Sequence, residues 1–411
     1  MYLLYNILVL IVGFILKLIV PFNKKIKLFM EGRKETFQKL ADVISKDNKV
    51  IWIHCASLGE FEQGRPLLEK LKEHHPTYKF VLTFFSPSGY KIRKDYELAD
   101  VICFLPLDTK QNARIFLDLV HPDLVVFVKY EFWPNILREI KIREIKTILV
   151  SGIFRESQPF FKWYGHWMRK PLKAFDHFFV QDENSIQLLR NINLSNVTLS
   201  GDTRFDRVYE ITKQNNQLPF IEGFKNNKYT LVAGSTWLED EKLLVDYINN
   251  KALEDEKFII VPHNINSKDI TELKNSIAKK VVLFSEKENY NLKEFQVFII
   301  NTVGILTKIY NYADVAYVGG GFTKSGVHNV LEPASFGVPI IIGPNYKKFN
   351  EAIELVKNKA CFVVNNSQKL STLLNEFFQQ KQNREEIGSR ALNYVVGKTG
   401  ASSKILNYLK K

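Results

Sequence analysis

Glu60 closes the loop Ser57-Leu58-Gly59-Glu60, which follows the apolar run VIWIHCAS and opens the amphipathic stretch EFEQGRPLLEKLKEH. A strand that runs into a helix presents its connecting loop at the carboxyl edge of a sheet, where ligands of α/β proteins collect. A carboxylate there could take the proton of an attacking hydroxyl. An acid in the first turn of a helix is also favoured by the helix dipole alone, so the purely structural alternative stands beside the chemical one. Glu131 occupies a comparable place in Lys129-Tyr130-Glu131-Phe132-Trp133-Pro134-Asn135, with Pro134 suited to a first helical turn. It could bind substrate hydroxyls or orient an acceptor, or serve only as a cap or ion-pair partner.

Later in the chain Gly319-Gly320-Gly321 follows the run DVAYV and leads through Phe322 to His328 into a helix expected to begin near Asn329. Glycines allow close approach, and amides at a helix start suit an anion. Glu332, one turn in, could accept hydrogen bonds from ribose hydroxyls. Gly234-Ser235-Thr236 repeats the pattern after an earlier strand and offers two hydroxyls to a phosphate or carboxylate; ordinary N-capping by Ser235 or Thr236 is the alternative.

Something must position these loops. From Lys49 on, β-branched and aromatic runs alternate with helical stretches: VIWIHCAS, KFVLTFFS, ADVICFLPL, DLVVFVKY, TILVSG, HFFVQD and VTLSGDTRFD. This is the βαβ pattern of a parallel, doubly wound sheet. A polar stretch over 211–228 reads as a linker, and a second series follows in YTLVAGS, KFIIVPHN, KVVLFSE, VFIINT, DVAYVGGG, VPIIIGP and ACFVVNN. At 411 residues two domains are expected. The predicted division is an anchor helix over 1–22, a first Rossmann-like domain over 23–210, the linker 211–228 and a second Rossmann-like domain over 229–411, with the two domains facing a central cleft.

The formal net charge of +13 calls for an anionic partner. No arginine-rich tract, zinc-finger spacing or RNA-binding aromatic signature accompanies it, so anionic lipid or a phosphorylated substrate is expected and nucleic acid is not. Cys55, Cys103 and Cys361 are isolated, and the eight histidines are scattered. Neither disulfides nor a metal site is expected. Tyr2 to Phe22 is apolar except for Asn6 and Lys17, about the length that crosses a bilayer, and it lacks the flanks of a cleavable signal. Lys24, Lys25 and Lys27 place the rest of the chain on the cytoplasmic side. Lys17 also suits a helix lying at the interface, where it can snorkel.

The segments SLGEFEQGRPLL, YEFWPN, GDTRFD, AGSTWLEDE and GGGFTKSGVHNVLEPASFGVPIIIGP, in that order and over nearly the whole chain, resemble the 3-deoxy-D-manno-octulosonic acid (Kdo) transferases of lipopolysaccharide assembly. The resemblance implies an α/β fold of the GT-B class and inverting transfer of Kdo from CMP-Kdo to a tetraacylated lipid A precursor at the inner membrane, with no metal in the transfer. Glu60 matches the family's general base. Nucleotide-binding positions carry over onto Pro262 and His263, onto Val303, Gly304 and Ile305, and onto Asn329, Val330, Leu331 and Glu332. The family reads Pro-Arg-His where this chain has Pro262-His263-Asn264, and Asp-Thr-x-Gly-Glu-Leu where it has Asn301 to Leu306. Lys324 and Arg204 are the candidates to replace the missing positive charge. The FFKWYGHWMRK stretch at Phe160 to Lys170 suits a membrane surface.

Two other readings stand beside this one. A GT-B transferase using a UDP-sugar on another lipid would differ in donor preference. An inert, membrane-tethered nucleotide-binding protein would tolerate loss of Glu60.

Overall fold

A computed structural model describes residues 1–410, and these form two compact α/β units. Among the described residues each unit carries one parallel sheet of seven strands.

The first unit comprises Met1–Arg207 and the chain from Thr399 onward. Its strands are β1 (Val50–Cys55), β2 (Lys79–Phe84), β3 (Val101–Phe104), β4 (Leu124–Val128), β5 (Lys146–Gly152), β6 (His177–Val180) and β7 (Val197–Leu199). They lie in the order β3-β2-β1-β4-β5-β6-β7. β1 pairs in parallel with β2 and with β4, Trp52 facing Val81 on one side and Val125 on the other. A central parallel strand is covered on both faces, which is why β1 and β4 are near-continuous apolar runs, buried at every position. Alternate residues enter opposite layers: Ile51 and Ile53 pack with Leu82 and Val126, and Trp52 packs with Val81 and Phe127.

The second unit comprises Val208–Lys398. Its strands are β8 (Tyr229–Thr236), β9 (Glu256–Pro262), β10 (Val281–Leu283), β11 (Val297–Ile299), β12 (Val315–Val318), β13 (Ile340–Ile342) and β14 (Cys361–Val363), in the order β10-β11-β9-β8-β12-β13-β14. Each run read from the sequence is a strand.

The unit boundaries differ from the expected ones. The stretch expected as a linker contains the helix Pro219–Lys225, whose Ile221 and Phe224 are fully buried with Val232 and Phe298 of the second unit. The polar composition of 211–228 hid two core anchors. At the other end, the helix Ala401–Leu409 belongs to the first unit: Asp206 accepts from the amides of Gly400 at 2.5 Å and Ser402 at 2.6 Å, and Ile405 and Leu406 enter the first unit's core. A cap of this kind contributes about 1 kcal/mol.

The apolar N-terminus forms the helix Tyr2–Ile19, a turn over Val20–Phe22, and then the helix Lys24–Lys34, capped by Asn23. Tyr2, Tyr5, Asn6, Val9, Gly13, Leu16 and Val20 are buried or half-buried, while Leu3, Leu4, Ile7, Leu8, Leu10 and Ile11 are exposed. The covered positions recur every three or four residues, so one face of the helix lies along the first unit over its whole length. A Cβ on Gly13 would already sit 3.3 Å from Leu107.

Candidate functional site

In a doubly wound sheet the chain leaves the first strand in one direction and later returns to its other side, and the loops at that reversal diverge to leave a crevice. In the first unit the reversal lies between β1 and β4. The loops after these two strands carry Glu60 and Glu131.

Glu60 lies in the first turn of the helix Leu58–His74. Ser57 stands at the N-cap position but makes no cap bond; its hydroxyl donates to the Glu60 carboxylate instead. The backbone thus brings Ser57 to the helix start, and the carboxylate takes the hydroxyl that would otherwise serve an amide.

Glu131 is held more elaborately. His54 Nε2 lies 3.3 Å from Glu131 Oε2, and Trp133 Nε1 donates to the same oxygen at 3.0 Å. His54 is fully buried on β1, and its Nδ1 lies 2.8 Å from Thr83 Oγ1, which also accepts from Trp52 Nε1 at 2.8 Å. A carboxylate only accepts, so His54 Nε2 donates to Glu131, while its Nδ1 shares a hydrogen bond with the Thr83 hydroxyl. A hydrogen-bonded chain of Thr83, His54 and Glu131 results. Tyr130 shows that both acids act on one region: burial, then the charge of Glu60 and, more weakly, that of Glu131 raise its pKa, with Arg155 opposing. Burial first, and then Glu60 and Glu131, also push up the thiol of Cys55 at the end of β1. Arg204 lies in this unit, its guanidinium bonded to Asp202 at 2.8 Å.

In the second unit the reversal lies between β8 and β12, and the structure brings Ser235, Thr236 and the glycine loop together there. A Cβ on Gly319 would lie 2.3 Å from the Ser235 carbonyl, so only glycine fits. Ser235 adopts φ +55. Thr236 is buried and its hydroxyl donates to Glu241 at 2.9 Å. Asp240, fully buried, accepts from the amides of Trp237 at 2.9 Å and Gly320 at 2.8 Å and from the Tyr317 hydroxyl at 2.7 Å. Burial raises its pKa and these three donors hold it back. The amide of Gly319 bonds to the Gly234 carbonyl. The expectation that the glycine loop's amides meet a phosphate therefore fails for Gly319, whose N–H ties the loop to β8, and for Gly320, whose N–H is taken by Asp240.

Pro262 is buried at the end of β9, and the amide of His263 bonds to the Thr236 carbonyl at 2.9 Å. The His263 ring stacks on Trp237 at 4.6 Å and on His328 at 4.5 Å. Trp237 and His328 are almost coplanar, 6° apart, and joined by a 2.9 Å bond from Trp237 Nε1 to His328 Nε2. Burial, and secondarily His263, lower the His328 pKa to about 4.

Val303 and Gly304 are exposed in a loop ahead of the helix Leu306–Ile309, and Ile305 is half-buried. Thr307 of that helix donates to Glu332 Oε2 at 3.0 Å, and Asn329 donates to Oε1 at 3.0 Å. Glu332 so ties the helix that follows the 303–305 loop to the 329–332 segment. The helix expected near Asn329 begins at Leu331, and Asn329 caps it by accepting from the Leu331 amide at 3.1 Å. The side chains of Val330 and Leu331 are buried, so only their backbone can touch a ligand. Lys324 is exposed on the glycine loop.

The sequence reading missed His54, Trp237, Asp240 and His328. Trp237 and His328 stood inside the quoted segments AGSTWLEDE and GVHNVLEP, but their stacking partner is 26 to 65 residues away in the chain. Among the described residues no three His, Cys, Asp or Glu side chains are grouped as a metal centre.

The sequence profile described as 3-Deoxy-D-manno-octulosonic-acid transferase (kdotransferase) matches residues 31–207, the span that contains Glu60 and Glu131. A 3-deoxy-D-manno-octulosonic acid transferase of Aquifex aeolicus is 30% identical over 339 residues, covering 81% of this chain and 87% of the relative. One from Rickettsia bellii is 28% identical over 354 residues, covering 83% and 82%. Among solved structures, a UDP-GlcNAc 2-epimerase from Neisseria meningitidis bound to UDP-GlcNAc aligns with TM-score 0.60 at 16% identity, over 88% of this chain and 100% of its own. A glycosyltransferase from Rickettsia africae aligns with TM-score 0.53 at 14% identity, over 89% and 98%. The two structural likenesses establish a fold of two Rossmann-like units, and the sequence kinship establishes more: this chain belongs to the 3-deoxy-D-manno-octulosonic acid transferase family and is a glycosyltransferase of lipopolysaccharide synthesis.

Proposed function

We propose that the protein transfers Kdo from CMP-Kdo to a hydroxyl of a tetraacylated lipid A precursor, with inversion and without a metal ion in the transfer. The observation that carries the reading is the pair of carboxylates on the two loops where the first sheet reverses, within the span matched by the family profile. Glu60 takes the proton from the acceptor hydroxyl as that oxygen bonds to the anomeric carbon of Kdo. The bond from this carbon to the phosphate oxygen breaks, and CMP leaves with the electron pair. Glu131, fixed by His54 and Trp133, orients the acceptor by accepting from its hydroxyls. CMP is a monophosphate, so amides and a basic side chain such as Lys324 suffice for the charge that develops on it. Pro262, His263, the 303–305 loop and the 329–332 segment bind the nucleotide, the last two as one body through Glu332.

The helix Tyr2–Ile19 lies along the first unit with its outer face apolar, next to Lys24, Lys25 and Lys27. Trp167 of the aromatic and basic stretch contacts the Tyr5 ring at 6.2 Å, and Trp163, in the same stretch, is 91% exposed. Such a face fits the cytoplasmic surface of an anionic inner membrane, where the acceptor's acyl chains reside. It also accounts for the basic balance of the chain.

Mass spectrometry of the lipid after incubation of purified protein with the tetraacylated precursor and CMP-Kdo tests the reading. Increments of whole Kdo units are the expected result, and their number counts the additions. No increment, with a known transferase active in parallel, would transfer the reading to a UDP-sugar donor or to a protein without turnover.

A further inference from the structure

The helix Pro134–Ile142 begins just after Glu131, and its N-cap residue, Trp133, offers no side-chain cap. The cap comes from another loop. Asp108, buried between β3 and the helix Lys110–Val120, accepts from the amide of Asn135 at 2.9 Å through Oδ2 and from that of Ile136 at 2.9 Å through Oδ1. Its own carbonyl accepts from the Asn135 side-chain amide at 2.5 Å.

Two hydroxyls of the N-terminal helix complete this knot. Tyr5 donates to Asp108 Oδ2 at 2.7 Å, and Tyr2 donates to Asn135 Oδ1. The Tyr2 ring lies beneath two cations, 5.0 Å from the Arg138 guanidinium on the helix that is capped and 5.4 Å from Lys110. The two tyrosines of this largely aliphatic helix thus meet the two side chains that fix where the Glu131 loop ends. At the loop's other end Lys129 has φ +66, a left-handed conformation that is unfavourable in a residue with a side chain. Backbone in that state persists only where its surroundings hold it.

From this geometry we propose that Tyr2 and Tyr5 are positioning residues for the transfer, acting through Asn135 and Asp108 on the loop that carries Glu131. The N-terminal helix is then part of the acceptor side of the site as well as the tether to the bilayer. The inference rests on the functional reading above. Removing the hydroxyls leaves the apolar face of the helix intact, so membrane attachment and loop placement separate in one variant.

The test is the full-length Tyr2→Phe/Tyr5→Phe protein, compared with wild type by three measurements. Flotation with vesicles of phosphatidylethanolamine and phosphatidylglycerol is expected to be unchanged. Amide exchange followed by mass spectrometry is expected to speed up over residues 130–138 and to stay at the wild-type rate over 50–55 and 229–236. Turnover with detergent-solubilised acceptor is expected to fall at least about tenfold, with the KM for the donor within about twofold, as for a reacting group displaced by a fraction of an ångström. Unchanged exchange over 130–138, or faster exchange there with wild-type turnover, would overturn the proposal. Faster exchange throughout the first unit would also overturn it, since the hydroxyls would then only support the fold. An inactive wild-type protein would refute the functional reading and with it the positioning role, while the exchange data would still decide whether the hydroxyls hold the loop.

Discussion

His54 Nε2 and Glu131 Oε2 lie 3.3 Å apart although they come from different strand ends, 77 residues apart in the chain. The ring is buried and linked to Thr83, so it fixes one oxygen of Glu131 and leaves the other for a ligand. A residue that acts only through its neighbour should be silent once the neighbour is gone. His54→Gln and Glu131→Gln are each expected to lower turnover about tenfold or more, and the double variant is expected to be no slower than the slower single one. Steady-state kinetics on the three proteins checks this; full additivity would mean that His54 works elsewhere.

Glu60→Gln keeps the size of the side chain and an acceptor for the Ser57 hydroxyl but removes the base. Turnover is expected to fall roughly 10²–10⁴-fold. CMP affinity measured by calorimetry should stay within about twofold, because the residues proposed to bind the nucleotide belong to the second unit. Wild-type turnover in this variant would reduce Glu60 to a helix-start acid.

Two glycines with similar backbone angles should respond differently to alanine. Gly304 has φ +93 with open space around a new Cβ, whereas Gly320 has φ +88 and a Cβ there would lie 2.6 Å from the Gly326 carbonyl and 2.8 Å from the His328 ring. Gly304→Ala should cost about 1 kcal/mol, from backbone strain alone. Gly320→Ala should cost more than about 2 kcal/mol, because strain and collision add. Urea unfolding of both variants gives the comparison.

The His328 pKa, lowered by burial to about 4 from an ordinary 6.5, has a consequence for stability. Between these two values the unfolded chain binds a proton that the native chain does not, so native stability falls as pH falls through that window. His328→Gln, which can still accept from Trp237, should flatten the decline between about pH 6.5 and pH 4. Urea midpoints across this range read the slope directly; an unchanged slope would mean that His328 does not contribute to it.

Period and composition were enough to read the two series of strands, because a buried parallel strand must be apolar throughout and its crossover helix must be amphipathic. The loops after β1, β4, β8 and β12 were legible for the same reason: they are the points where such runs end in glycine, serine or a charged residue. The chain alone therefore determined the fold class, the apolar N-terminal helix and the candidates Glu60 and Glu131. It did not reveal that Ile221 and Phe224 are core residues in a polar stretch, nor that the last helix belongs to the first unit, since both depend on contacts nearly 200 residues apart or on two side chains among many. Only the tertiary structure placed His54 behind Glu131, set Trp237, His263 and His328 against one another, and committed the amides of Gly319 and Gly320 to β8 and Asp240. The physical reason is range: strand and helix patterns are written in neighbours two to four residues apart, whereas a hydrogen-bonded site is written in distances of about 3 Å between groups that the chain brings together only after it has folded.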